Sequence, residues 1–136
     1  MDLSKPITSP MVASSPLSKY SGVSLTDPTT YHSTVGALQY LSITCLGISF
    51  AVNKVSQFLH NLCDTHWSAV KRILRYLKHS ITHGLVIRRS SSFQLTAYTG
   101  VDWASFLNDR KSTFGYCVFL GQNLISWSSK KQPTVS

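Results

Sequence analysis

The spacing of the apolar residues changes at His83-Gly84, and this change restricts the folds open to the chain. Before it, apolar residues recur every three or four positions, the period of helices packed on one face. After it, apolar and polar residues alternate in short runs separated by Gly, Asn and Ser, the period of strands. Helices followed by strands predict an α+β fold.

Three helices are predicted in the first half. Asp27-Pro28 is a start signal, because Asp caps helices and Pro suits the first turn, and this helix is expected to run to about Ile43. The second helix starts near Gly47 without a good cap, and Asp64 is predicted to cap the third. His83-Gly84 should end the helical half. The predicted buried stripes are Tyr31, Val35, Leu38 and Leu41 or Ser42; Ile48, Ala51, Val52, Val55, Phe58 and Leu59; and Trp67, Val70, Ile73, Leu74 and Leu77.

Strands are predicted in the second half, three of them forming an antiparallel sheet. A polar turn at 105–113 and the turn signal Gly121-Gln122-Asn123 separate those three strands. In the first of them, alternation puts Gly100 and Asp102 on the same face. The predicted strands are Leu85–Ile87, Leu95–Trp103, Gly115–Leu120 and Leu124–Ser129.

Residues 1–26 have neither period and are rich in Ser, Thr and Pro, so we predict an extended arm that is disordered in isolation. The expected organisation is thus an arm at 1–26, a helical segment at 27–83 and strands at 84–136. With 136 residues, 43% of them hydrophobic, the chain is long enough for one domain or two small halves.

Neither a membrane span nor a secretion signal is expected. No apolar run reaches membrane-spanning length, and Met1–Pro6 lacks the apolar core of a signal peptide, so an intracellular protein with no membrane partner is predicted. The three cysteines, Cys45, Cys63 and Cys117, form no CxxC pair. An odd number of thiols without such a pair indicates structural cysteines rather than a disulfide framework or a zinc site.

The charged residues are unbalanced. Thirteen Lys and Arg stand against five acids, all aspartates, giving a net charge of +8. The absence of glutamate argues against a mechanism that needs several convergent carboxylates, such as a two-metal nuclease. The positive charge favours an anionic partner, nucleic acid before membrane, although the loss of acids from a neutral ancestor would leave the same balance.

The third helix carries five basic residues on the side opposite its apolar stripe, with His79 the last of them. Such a face fits phosphate contacts, which bind weakly and without regard to sequence, and it equally fits an ordinary solvated surface. Two further basic pairs lie among the strands. The predicted nucleic-acid-binding residues are Lys71, Arg72, Arg75, Lys78, Arg88, Arg89, Lys130 and Lys131.

Four blocks keep their spacing over nearly the whole chain: Lys5–Met11, Tyr31–Tyr40, Ser49–Leu77 and Tyr98–Lys131, the last containing D-R-K-S-T-F-G-Y and I-S-W-S-S-K-K-Q. In these blocks the chain resembles an internal piece of the Pol polyprotein of Ty1/copia-type LTR retrotransposons. The resemblance implies a thumb-like or connection segment after a reverse-transcriptase palm, followed by the opening strands of an RNase H-like sheet. It also implies a parent with two Mg²⁺-dependent activities, RNA-directed DNA synthesis and cleavage of the RNA strand in RNA–DNA hybrids.

The departures from that family concern the chemistry. Gly100 replaces the first aspartate of the family's D-A-D-W-A-G run, while Asp102 retains the second. Asn108 stands where the family often has an aspartate. Cys45-Leu46-Gly47 replaces a usual Arg-Pro-Asp, and Leu62-Cys63 replaces a loop that usually contains Pro.

We therefore predict a degenerate, truncated Pol segment that is not an enzyme. The Y-x-D-D motif of the palm is absent, and the sequence ends before the S-T-E-A-E-Y helix that supplies the family's next catalytic glutamate. Two Mg²⁺ ions about 3.5–4 Å apart need several carboxylates, and Asp102 alone cannot hold them. No catalytic residue, metal site or cofactor is predicted.

Two other interpretations remain open. The basic residues would make the chain a non-catalytic module that binds RNA–DNA hybrids or other nucleic acids. Alternatively, an apolar sheet face with Trp103, Phe119 and Trp127 would bind a partner or a second copy. The histidines, which share no metal-binding spacing, are expected to be structural or solvent-exposed: His32, His60, His66, His79 and His83.

Overall fold

The computed structural model describes residues 5–12, 17–19, 22–104 and 108–134. Three α-helices precede a three-stranded antiparallel sheet, which confirms the predicted α+β class. The chain divides into two compact units, Met1–Thr82 and His83–Ser136. Within the described ranges, no helix is both long enough and apolar enough to cross a membrane.

The first unit is a small helical domain. It consists of α1 (Thr29–Leu41), a 3-10 turn at Leu46–Ile48, α2 (Ser49–Ser56) and α3 (Asp64–His79). The predicted stripes face one another, because each helix has one apolar side and burying it removes that side from water. The fully buried apolar side chains of the stripes are Tyr31, Val35, Leu38, Ile48, Ala51, Val52, Val55, Phe58, Val70 and Ile73.

Local hydrogen bonds mark the start of α1 and the end of α2. The carboxylate of Asp27 accepts a hydrogen bond from the Thr29 N–H at 2.9 Å, so the predicted cap of α1 is confirmed. The second helix ends at Ser56, before Leu59, because the N–H groups of Gln57 and Phe58 bond three residues back instead of four.

The predicted cap of α3 was wrong. Asp64 is the first helical residue, and the capping position belongs to Cys63, whose N–H donates to His66 Nδ1 at 3.0 Å. Asp64 instead accepts a hydrogen bond from the Val23 N–H of the arm. At the other end the helix stops at His79, four residues before His83, where the Ser80 hydroxyl turns back to the Tyr76 carbonyl.

The second unit is an antiparallel meander. It contains β1 (Leu95–Asp102), β2 (Thr113–Leu120) and β3 (Asn123–Lys131), with β2 in the centre. Gly121, at φ +57°, makes the turn between β2 and β3, and its N–H donates to the Gln94 carbonyl at 2.8 Å. This left-handed conformation favours glycine, which explains the turn signal in the sequence.

The predicted strand Leu85–Ile87 does not form. The side-chain amide of Asn123 binds the backbone just after it, accepting from the Arg88 N–H at 2.7 Å and donating to the Arg88 carbonyl at 2.8 Å. A side chain thus takes the place of a neighbouring strand. Of the predicted polar turn, residues 105–107 lie outside the described residues.

Candidate functional site

Gly100 and Asp102 lie on β1, and the strand places them on the same face of the sheet. Across the sheet, Gly100 pairs with Gly115 and Asp102 pairs with Thr113. On β3 the corresponding positions are Ser129, opposite Gly115, and Lys131, opposite Thr113. The patch around Asp102 is therefore made of small residues with one lysine at its far side.

A side chain at position 100 would have room. A Cβ atom added to Gly100 would meet nothing within 4 Å. The glycine is therefore not imposed by a close neighbour. The backbone therefore leaves room at position 100 for a larger side chain.

The second aspartate of this unit, Asp109, is already engaged. Its carboxylate lies 2.8 Å from Lys131 Nζ and accepts a hydrogen bond from the Lys111 N–H at 3.2 Å. Partial burial raises the pKa of Asp109, but the bonds from Lys131 and Lys111 outweigh it and hold that pKa below its usual value. This carboxylate is thus committed to the turn before β2.

The residues of the patch do not fit a two-metal centre. Such a centre needs several carboxylates around two ions, whereas this face offers Asp102 together with Thr113, Ser129 and a lysine. Among the residues that the structure describes, no three His, Cys, Asp or Glu side chains lie together in a way that could hold a metal. Asn108 is half-buried in the following turn.

The predicted basic face of α3 separates into two parts. Lys71 and Lys78 are exposed, and Lys71 Nζ lies 5.7 Å from the centre of the Trp67 ring. Arg75 instead donates from Nε to the Lys5 carbonyl at 2.8 Å, and Arg72 is half-buried. Both arginines line a cavity of about 380 Å³ whose other wall includes Pro10, Met11, Val12 and Leu17 of the arm.

The arm therefore covers two of the predicted nucleic-acid-binding residues, a contact that helical periodicity alone does not reveal. In the sheet unit, Arg88, Arg89 and Lys130 are exposed, whereas Lys131 is paired with Asp109. The positions presented to solvent are thus Lys71, Lys78, Arg88, Arg89 and Lys130.

His66 is the residue whose role the sequence reasoning missed. Its imidazole is 0% exposed and stacks on Phe58, with ring centres 4.2 Å apart. It accepts a hydrogen bond from the Cys63 N–H, and its Nε2 lies 3.0 Å from the Ser18 carbonyl. His66 lies three residues after the helix cap, where a side chain can reach back to the capping backbone. This spacing is the sequence feature from which its capping role could have been predicted.

The aromatic residues of the sheet do not all share a face. By register, Tyr98, Phe119 and Trp127 lie on one face, and the rings of Tyr98 and Phe119 meet edge to face at 5.8 Å. Trp103 lies beyond the end of β1 and is 70% exposed. The proposed role of such a face in self-association stays a prediction.

Comparison with known proteins points to one family. The chain is 50% identical over 135 residues to the retrovirus-related Pol polyprotein from transposon RE1 of Arabidopsis thaliana, covering 99% of this chain. It is 47% identical over 131 residues, or 96% of the chain, to the corresponding polyprotein from transposon RE2 of that plant. An uncharacterized mitochondrial protein of A. thaliana is 46% identical over 135 residues, or 97% of the chain.

This chain spans 9% of the length of each of the two polyproteins and 55% of the mitochondrial protein. No protein-family model matches the chain. No solved structure matches it at a significant level.

Proposed function

This chain belongs to the family of retrovirus-related Pol polyproteins of copia-type transposons, and we propose that it is a segment without catalytic activity of its own. The activities proposed for the parent polyprotein are RNA-directed DNA synthesis and cleavage of the RNA strand in RNA–DNA hybrids. The segment proposed here contributes structure to such a polyprotein rather than chemistry.

One observation carries this proposal: the open position at Gly100. The resemblance places a metal-binding aspartate there, and the backbone leaves space for it, yet the residue has no side chain. Asp102 on the same face supplies a single carboxylate. Since Mg²⁺ and Mn²⁺ are held by several oxygen ligands, one carboxylate gives only weak attraction.

Titration with Mn²⁺, followed by the electron paramagnetic resonance of the free ion, tests this proposal. We expect no saturable site in the native chain, and tighter binding in Gly100→Asp, which restores the second carboxylate. The proposal fails if the native chain binds Mn²⁺ in a stoichiometric amount and Asp102→Asn abolishes that binding.

A second candidate function, binding of nucleic acid without chemistry, is favoured by the exposed cations. Five of the eight predicted residues are exposed, and the chain has a net charge of +8. Such a surface attracts phosphates through Coulomb forces and counterion release, so its affinity should be weak, insensitive to sequence and steeply dependent on salt. The proposed ligand is an RNA–DNA hybrid or another duplex.

Fluorescence anisotropy with a labelled hybrid at several salt concentrations tests this candidate. Replacing Arg88 and Arg89 together by Ala should reduce the slope of log affinity against log salt by about 2. Arg75→Ala is the matched control, because the arm already engages that side chain. Absence of binding at low salt, or an equal effect of the control, would exclude this function.

A further inference from the structure

The arm is tied to the helical unit by a row of hydrogen bonds around the start of α3. His66 Nε2 lies 3.0 Å from the Ser18 carbonyl, and Asn61 Nδ2 donates to the Lys19 carbonyl at 2.8 Å. Further along, the Leu25 N–H donates to the Leu62 carbonyl at 3.0 Å. Leu17 and Leu25 also pack against the buried core. Most of these bonds use backbone groups of the arm, so they hold it whatever its side chains are.

The His66 ring holds two segments at once, and its two nitrogens have different roles. Nδ1 faces the Cys63 N–H at 3.0 Å and must therefore accept. The ring proton is then on Nε2, which donates to the Ser18 carbonyl. The neutral imidazole thus completes the cap of α3 with one nitrogen and fastens the arm with the other.

Protonation conflicts with this arrangement. A second proton would be placed on Nδ1, where it would point at the Cys63 N–H, so two donors would face each other. The added charge would also lie in a fully buried ring stacked on Phe58, where little water can solvate it. The ring must turn out to accommodate the proton, and the Ser18 contact and the cap are lost when it does.

The charges around the ring oppose this effect only in part. Burial, the largest effect, favours the neutral form of His66. The hydrogen bond to Ser18 and the charge of Asp64, on the same helix, favour the protonated form. Burial prevails and lowers the pKa of His66. Phe58 and Cys63 on the loop before α3 bring no formal charge to the ring. In the arm, the charged residue next to Ser18 in the sequence is Lys19, which is exposed.

We propose that His66 is an acid-sensitive latch, which holds the arm at residues 17–19 and 22–25 on the helical unit when neutral and releases it when protonated. The arm is then attached at and above neutral pH. It detaches as the pH falls below that at which a free histidine protonates, about 6.5, because the detached state binds the proton more tightly. Asp64 is a second contact between the arm and the start of α3, because its carboxylate accepts a hydrogen bond from the Val23 N–H.

Native-state hydrogen exchange of the full chain tests the latch at the Leu25 amide, whose N–H is bonded to Leu62. Protection factors, corrected for the intrinsic effect of pH, are compared at about pH 7.5 and about pH 5. We expect a loss of protection at the lower pH, reaching at most about tenfold for each unit by which the attached ring's pKa lies below that of a free histidine. An NMR titration of the His66 ring on the same sample measures that pKa.

His66→Gln separates the latch from general acid sensitivity. Glutamine at this helix position accepts from the capping N–H without titrating, so arm protection should become independent of pH in this range. His32→Gln is the matched control, since His32 contacts the Leu59 carbonyl from an exposed position and should retain the pH response. The latch is excluded if Leu25 shows equal protection at both pH values, if His66 titrates at or above the free value, or if His66→Gln keeps the native response.

Discussion

At the scale of single residues, Gly100 and Asp102 determine how many carboxylates this face of β1 can offer. The absence of an acid at position 100 is not a packing requirement, because the space next to Gly100 is open. The other aspartate of the sheet unit is bound to Lys131. The face of β1 that carries Asp102 thus offers one carboxylate.

Another single residue, Tyr31, sets how the helical unit responds to alkali. Its hydroxyl donates to the Val55 carbonyl at 2.8 Å, and the side chain is 1% exposed. Burial disfavours the phenolate and raises the pKa of Tyr31. The folded state therefore retains its proton above the pH, about 10, at which the unfolded chain loses it, and stability falls as the pH rises beyond that point.

We predict that Tyr31→Phe lowers the free energy of unfolding by about 1 kcal/mol at neutral pH, through the lost hydrogen bond. The same variant should lose less stability than the native chain between about pH 8 and about pH 11. Urea unfolding at the two pH values measures both effects. Tyr40→Phe, at an exposed position, is the control and should follow the native chain. Equal alkaline losses in all three proteins would contradict the assignment.

At the scale of elements, periodicity predicted which residues are buried, whereas contacts between segments far apart in the chain were not predictable from it. The stripes of all three helices were identifiable because each repeats over several turns. The role of Asp64 could not be identified from the sequence, because its hydrogen-bond partner, the N–H of Val23, is far away in the chain. The prediction of a strand at Leu85–Ile87 was wrong for a similar reason, because the distant Asn123 side chain binds the backbone of the next residue, Arg88.

In the candidate site too, sequence patterns predicted local placement but not contacts between distant segments. Strand alternation was enough to place Gly100 and Asp102 on one face. It was not enough to show that Arg75 binds the Lys5 carbonyl, or that His66 fastens the arm, because both contacts join segments that no local pattern relates. The sequence therefore predicted the face that Gly100 and Asp102 share, but not that Arg75 and Lys131 are bonded within the chain.

The sheet and the helices should differ in local stability. Within the described ranges, every fully buried apolar side chain lies between Tyr31 and Ile73, so the sheet is not anchored by a core of its own. A small sheet without a buried apolar layer is marginally stable in water. We predict that amides in the middle of α3 exchange with solvent much more slowly than the bonded amides of β2. Hydrogen exchange followed by mass spectrometry measures this, and equal protection of the two elements would contradict it.

At the scale of the whole molecule, the chain corresponds to a small part of the polyproteins that it matches. Its match covers nearly all of this chain but 9% of the RE1 and RE2 polyproteins. Its two units are of different kinds, a helical unit with a buried core and a sheet with exposed apolar residues.

A cleavage assay checks whether this Pol segment lacks nuclease activity, as proposed. The purified chain is incubated with an end-labelled RNA–DNA hybrid and Mg²⁺ or Mn²⁺, beside Gly100→Ala and Asp102→Asn. We expect the same background for all three proteins, since one carboxylate cannot assemble the two ions that hydrolysis requires. Metal-dependent turnover by the native chain that exceeds Gly100→Ala and disappears in Asp102→Asn would contradict it.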